Sequence, residues 1–186
     1  LVREALQAAD LPATLGGAGI DRVLVGTGPA PFTGLRAGLV SARVLARVAG
    51  VPAYGVSALD VIARQGLDLL APDTRVYAIA DARRRELYWG SYLAAGPDDV
   101  TLEGRLAVGD VASRHAPGLV VAGAPIPAHS APALARADLG PQIELDPAVM
   151  SRIVATRLTR GESDRLGTDP LYLRRPDIQG QPTARL

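Results

Sequence analysis

The chain has 186 residues, a formal net charge of +1 and no cysteine, and is 48% apolar but only 4% aromatic. That length suits one domain or two small lobes on a shared core, with roughly 70% of the unfolded surface buried and no staple required. The missing cysteines exclude thiol catalysis, cysteine-ligated zinc and a disulfide framework; no apolar run approaches the roughly 20 residues that span a bilayer; and the basic residues, all arginine, are too scattered for a broad nucleic-acid footprint.

In chain order, "LVREALQAAD" places Leu1, Val2, Ala5, Leu6 and Ala9 on one helical face. It opens without a cap and reads as the back half of a helix, so further residues are expected before Leu1 in the natural protein. After the connector "LPATLGGAGI", the run Arg22 to Gly26 reads as a buried strand. A helix is predicted over Thr33 to Ala49, closed by Gly50, then a strand over Pro52 to Val56 and a helix "ALDVIARQGLDLL" capped by Ser57. This alternation predicts a parallel sheet flanked by helices.

Beyond Pro72 the pattern turns antiparallel. Arg75 to Asp81 and Glu86 to Leu93 read as a hairpin around "ARRR", with a third strand over Thr101 to Leu106 and a short helix over Gly109 to His115. There follow a buried strand over Gly118 to Gly123, a short helix over Pro132 to Ala137, a helix over Pro147 to Arg160 and an extended segment "DPLYLRRPDI". Disorder is expected beyond Gln179. The whole reads as an α/β protein with a first lobe over residues 1–71 and a second over 72–186.

The loop "GTGPAPFTG" is not a Walker motif, because it has no lysine after its last glycine, and it is not G-x-G-x-x-G, because Pro31 takes the third glycine's place. Pro29 and Pro31 also remove N–H donors that an anion nest would use. With Thr33 as N-cap and Phe32 as a hydrophobic staple, the loop reads as a rigid strand-to-helix joint; weak contact with a nucleotide through Gly28, Thr33, Gly34 and Arg36 stays open. Arg36 sits in the first turn, where the helix dipole disfavours a cation, and is expected to answer a carboxylate or phosphate unless it is simply solvated.

Gly34, Gly38, Ala42 and Ala46 recur every four residues, with Ala37, Ser41 and Leu45 beside them. Stripped of bulk, that face would let a second helix come close, either from the chain's own fold or from a partner. On the partner reading, Ala42→Arg or Gly38→Leu would disrupt association and spare the fold.

Catalytic groups are sparse. His115 and His129 lie on different elements without metal-binding spacing, and neither Ser57 nor Ser130 stands in a nucleophile elbow. Asp81, at a strand end, is the one carboxylate with a place suited to a general base; a solvated hairpin turn is the plainer account. No metal or cofactor is expected.

Together, "VGTGPAPFTGLRAGLVSARVLA", "GVPAYGVSALDVIA", "DARRRELYWGSY" and "DPLYLRRPDI" resemble the TsaB (YeaZ) family of threonylcarbamoyladenosine biosynthesis, from about Leu1 to Ile178. Two departures stand out: the family's opening strands with an "IDT"-like segment are missing, and Ala30 replaces a frequent glycine. The resemblance implies a two-lobed fold of the actin, sugar-kinase and Hsp70 ATPase class whose first lobe lacks its N-terminal strands here. It implies a cytoplasmic, non-catalytic subunit that activates the threonylcarbamoyltransferase TsaD, with the ATPase TsaE joining and tRNA engaged only through the complex. The dimer face it implies is built from Leu1, Val2, Ala5 and Leu6 together with Gly34, Ala37, Gly38, Ser41, Ala42, Leu45 and Ala46, and would pair with a second copy when TsaD is absent. Two enzyme alternatives remain: a degenerate glycoprotease-like hydrolase, and a small-molecule kinase of the same fold class using Asp81.

Overall fold

In the computed structural model, which describes residues 2–10, 12, 19–111, 116–134 and 137–174, the short apolar runs become two sheets. After helix α1 (Val2–Ala8), β1 (Val23–Gly26) and β2 (Ala53–Val56) pair in parallel from Val23 opposite Ala53 to Gly26 opposite Val56. The crossover between them is α2 (Phe32–Ala49). Gly50 ends that helix as expected, at φ 69°, its N–H donating to the carbonyls of Ala46 and Arg47. Gly55 in β2 has no room for a side chain: a Cβ there would lie 2.3 Å from the carbonyl oxygen of Gly167.

Helix α3 (Ala58–Leu67) starts on Ser57, whose hydroxyl accepts from the Leu59 N–H, an arrangement worth about 1 kcal/mol. A five-stranded sheet follows: β3 (Val76–Asp81), β4 (Leu87–Ala94), β5 (Val100–Gly109), β6 (Leu119–Ala122) and β7 (Asp138–Leu139), in the order β5-β4-β3-β6-β7. The β3–β4 hairpin and the antiparallel β5 appear as the sequence predicts, while β6 and β7 add in parallel. The structure is thus a mixed α/β fold.

Several boundaries differ. β5 runs past both ends of its predicted span. The helix expected over Pro132 to Ala137 is a 3-10 helix over Ala128–Leu134, because Pro132 inside it has no N–H for an α-helical bond. A second 3-10 helix, Ser163–Leu166, went unread. The helix expected over Gly109 to His115 and the disorder expected beyond Gln179 fall mainly or wholly outside the described residues.

The packing interleaves the two parts of the chain. One face of α3 (Leu59, Ile62, Ala63, Leu67) packs against Val76, Ala78, Tyr92 and Val121 of the larger sheet. Helix α4 (Pro147–Thr159), capped by Asp146, returns to the small sheet, where Val149, Ile153 and Val154 meet Leu24, Tyr54 and Val56 of that sheet and Val61 of α3. Neither sheet is covered by its own stretch of chain alone.

On the β4–β5 face, Arg75 grips Glu103 through two bonds of 2.6 and 3.1 Å, and Ser91 donates to the same carboxylate at 2.8 Å. The Arg75 hydrogen bond, above all, holds the Glu103 carboxyl below its ordinary value. A depressed folded value stabilises above the unfolded glutamate pKa of about 4.3 and is lost as pH falls through the lower, folded one. Glu103→Gln is therefore expected to be less stable at neutral pH and to lose less stability on acidification below about pH 4, measured by urea unfolding at stepped pH. Parallel acid limbs for the two proteins would exclude the pair as a source of pH dependence.

Candidate docking helix and adjoining cleft

The loop before α2 is pinned by its own chain. The Thr27 N–H donates to the Val56 carbonyl and the Thr27 carbonyl accepts from Leu171, both at 2.9 Å. The Gly28 carbonyl accepts from the Ala58 N–H at 2.7 Å and from the Ser57 hydroxyl at 3.2 Å. These bonds make the loop a joint between β1, the start of α3 and the segment around Leu171.

The first turn departs from expectation. Pro31, not Thr33, is the N-cap and offers no side-chain bond, so the helix begins one residue early with Thr33 exposed on it. Phe32 is no staple: its ring lies 5.3 Å from that of Tyr172, and the Arg36 guanidinium stacks over it at 3.8 Å. Arg36 Nε donates to the Tyr172 hydroxyl at 2.8 Å rather than to a carboxylate. An aromatic face and a phenol hold this cation in place. Arg43 anchors the same C-terminal segment through the Thr168 hydroxyl and carbonyl and Asp169.

Along α2 the small-residue stripe winds around the helix. Each step of four residues overshoots a full turn by about 40°, so three steps carry it about 120°. It begins exposed at Gly34 and Gly38 and ends buried at Ala42 and Ala46, which lie 6% and 4% exposed in the core with Leu35 and Leu39. Ala37 and Ser41 are exposed and Leu45 is half-buried. Ala42 and Ala46 therefore cannot lie on an outer surface, and Ala42→Arg would damage the fold rather than spare it. Leu6 of α1 is buried, while the side chains of Leu1, Val2 and Ala5 lie outside the described residues.

Opposite the buried stripe stand Val40, Val44 and Val48, at 60%, 54% and 72% exposure. Sequence reasoning missed them, although their four-residue spacing, half a turn away from Leu35 and Leu39, was visible. Gly34 and Gly38 lie on a separate exposed side, about 80° and 120° around the helix from Val44, and a Cβ added to either meets nothing within 4 Å among the described residues. The chain's own packing therefore does not require glycine at either position.

Beside the first turn of α2 opens a cleft of about 500 Å³, lined by Thr33, Gly34, Asp81, Arg83, Arg84, Tyr88, Tyr172 and Arg174, among others. Of the four nucleotide-proximal residues, only Thr33 and Gly34 line it. Asp81 meets two residues from a distant part of the chain: Ser130 donates to its Oδ1 at 2.9 Å, and His129 Nε2 lies 3.5 Å from the same oxygen. The Ser130 hydroxyl is fully buried and gives its proton to Asp81, not to His129, so the three do not form a nucleophilic relay. Burial, foremost, and the Asp81 charge push the Tyr88 phenol up. Among the described residues no group of three or more His, Asp or Glu is placed to hold a metal ion, and no helix is long and apolar enough to cross a membrane.

Residues 1–127 match the family model described as "TsaD: tRNA N6-adenosine threonylcarbamoyltransferase". The chain belongs to the TsaD family, as a TsaB (YeaZ) homologue. An uncharacterized protein of Mycobacterium tuberculosis is 44% identical to it over 108 residues, 58% of this chain and 46% of the relative. The tRNA threonylcarbamoyladenosine biosynthesis protein TsaB of Escherichia coli is 44% identical over 73 residues, 39% of this chain and 31% of that protein. This TsaB homologue thus spans less than half the length of the curated relatives it matches. Its fold resembles that of YeaZ from Pseudomonas aeruginosa, with a TM-score of 0.67 at 24% identity over 92% of this chain and 80% of the other.

Proposed function

We propose that the chain is a non-catalytic subunit in the synthesis of threonylcarbamoyladenosine in tRNA, docking a TsaD-type threonylcarbamoyltransferase through the outward face of α2 and activating it. The supporting observation is a pair of exposed glycines on one side of α2 together with an exposed valine stripe on another. Glycine costs about 1 kcal/mol relative to alanine within a helix, and the chain gains no packing from it at Gly34 or Gly38. A partner helix lying close against the glycines is a use for the missing side chains, and the valines further round α2 supply apolar area for a partner surface. The two-lobed arrangement, recruitment of a TsaE-type ATPase, pairing of two copies when TsaD is absent and a cytoplasmic address belong to the same reading. The kinase alternative has less support, because Asp81 already accepts from Ser130 and from the Arg83 backbone.

Co-elution of the chain with a TsaD subunit tests this reading, and two variants sharpen it. Gly38→Ala is expected to stabilise the isolated chain by up to about 1 kcal/mol in urea unfolding while loosening the complex. Gly38→Leu is expected to leave folding intact and prevent co-elution. Wild-type chain that does not bind TsaD, or Gly38→Leu that binds as well as wild type, counts against the docking face.

A further inference from the structure

The turn between β3 and β4 carries Arg83, Arg84 and Arg85 in succession, all exposed and all left-handed, at φ 60°, 54° and 65°. Gly, Asn or Asp adopts that conformation at least cost, so three large cations stand here against the backbone preference. Strain of this kind persists where the surroundings hold it and a use retains it. The surroundings are firm: the strands pair without a break from Val76 opposite Tyr92 to Asp81 opposite Leu87.

Two nearby carboxylates are engaged elsewhere. Asp81 accepts from Ser130 and the Arg83 N–H, and Glu86 pairs with Arg174, which also donates to the Ala82 carbonyl. The side chains of Arg83 and Arg85 make no ion pair among the described residues, although the Arg83 charge reaches the Tyr88 phenol. The turn presents no apolar side chain that could anchor a protein surface, since Ala82 beneath it is buried. A rigid row of guanidinium forks fits a different partner, a chain of phosphates, whose oxygens arginine can grip in pairs.

We propose that the β3–β4 turn contacts the phosphate backbone of tRNA, with Arg83 and Arg85 neutralising phosphates while the complex holds the substrate. The identity of the RNA rests on the function proposed above; the phosphate chemistry rests on the turn. The cost of the backbone conformation is then offset on binding, and contact is independent of sequence, as suits an enzyme complex acting on several tRNAs.

The test is binding of fluorescent tRNA to the assembled complex, by anisotropy, between 50 and 300 mM salt. Each phosphate contact contributes about 0.7 to 0.9 to the slope of log affinity against log salt. The double variant Arg83→Gln, Arg85→Gln is expected to lower that slope by about 1.5 and weaken binding by about tenfold at the lowest salt, while co-eluting with TsaD as wild type does. The matching double lysine variant is expected to keep the slope. An unchanged slope in the glutamine variant, or equal losses in both variants, overturns the proposal. If the subunits do not assemble, the function proposed above fails first. The same titration on the isolated chain then decides the turn: a lowered slope upholds it and an unchanged slope overturns it.

Discussion

Val44→Arg is expected to abolish association through α2 and to leave the fold intact. Val44 is 54% exposed at the centre of a stripe with Val40 and Val48, directly away from Leu35, Leu39, Ala42 and Ala46. An arginine there keeps its charge in water in the free chain, and helix propensity rises slightly from Val to Arg, so unfolding should change by less than about 0.5 kcal/mol. In a complex the same side chain must enter an apolar contact with Arg43 and Arg47 nearby and no carboxylate on α2. An uncompensated charge at the centre of an interface costs at least about 2 kcal/mol, some thirtyfold in affinity. Titration calorimetry against TsaD and sedimentation of the chain alone would measure it. Wild-type affinity in a folded Val44→Arg protein would move the interface off this helix.

Asp99→Ala is expected to cost about 3 to 5 kcal/mol of stability, a large part of the 5 to 15 kcal/mol that a domain holds. Asp99, between β4 and β5, is fully buried and accepts from Arg157 at 2.8, 3.1 and 3.3 Å, from Arg160 at 3.3 Å and from the Val100 N–H. Arg157 of α4, 2% exposed, also donates at 2.8 Å to Asp60, which accepts in turn from the Tyr92 hydroxyl. Burial works against the Arg157 charge, but Asp99 and Asp60 more than offset it and hold its pKa above the ordinary value. Burial and the Asp60 charge likewise push the Tyr92 phenol up.

Removing Asp99 leaves that guanidinium enclosed with half its partners, and it unfastens α4 from the larger sheet. Replacing Arg157 by Met as well is expected to recover much of the loss, since an enclosed ion pair and an apolar pair of similar volume are often nearly equal in stability. Urea unfolding of the two single variants and the double variant closes the cycle. A loss below about 1 kcal/mol in Asp99→Ala would mean that water reaches the site and that the network contributes little.

Much of the fold was legible because local rules decide it. The runs around Leu24, Tyr54, Ala78 and Trp89 are short, apolar and bounded by turn residues, and each became a strand. Ser57 capped α3 and Gly50 closed α2 because a hydroxyl acceptor and a left-handed residue satisfy helix ends wherever they occur. Pro31 took the cap in place of Thr33 because a fixed φ suits a helix start even without a side-chain bond. The partners of Arg36 were out of reach, since Tyr172 lies 136 residues away and no spacing rule spans that distance.

The sequence by itself determined the family and the order of the helices and strands up to β6, both carried by neighbouring residues and by strings such as "GTGPAPFTGLRAG", but not β7 or the second 3-10 helix. Only the tertiary structure decided which side of α2 faces out, because a stripe of every fourth residue drifts around a helix and its exposure depends on where β1 lies. It also decided that α3 and α4 serve both sheets and that Asp81 meets Ser130 and His129, since contacts across long separations follow from how the layers close and leave no local trace.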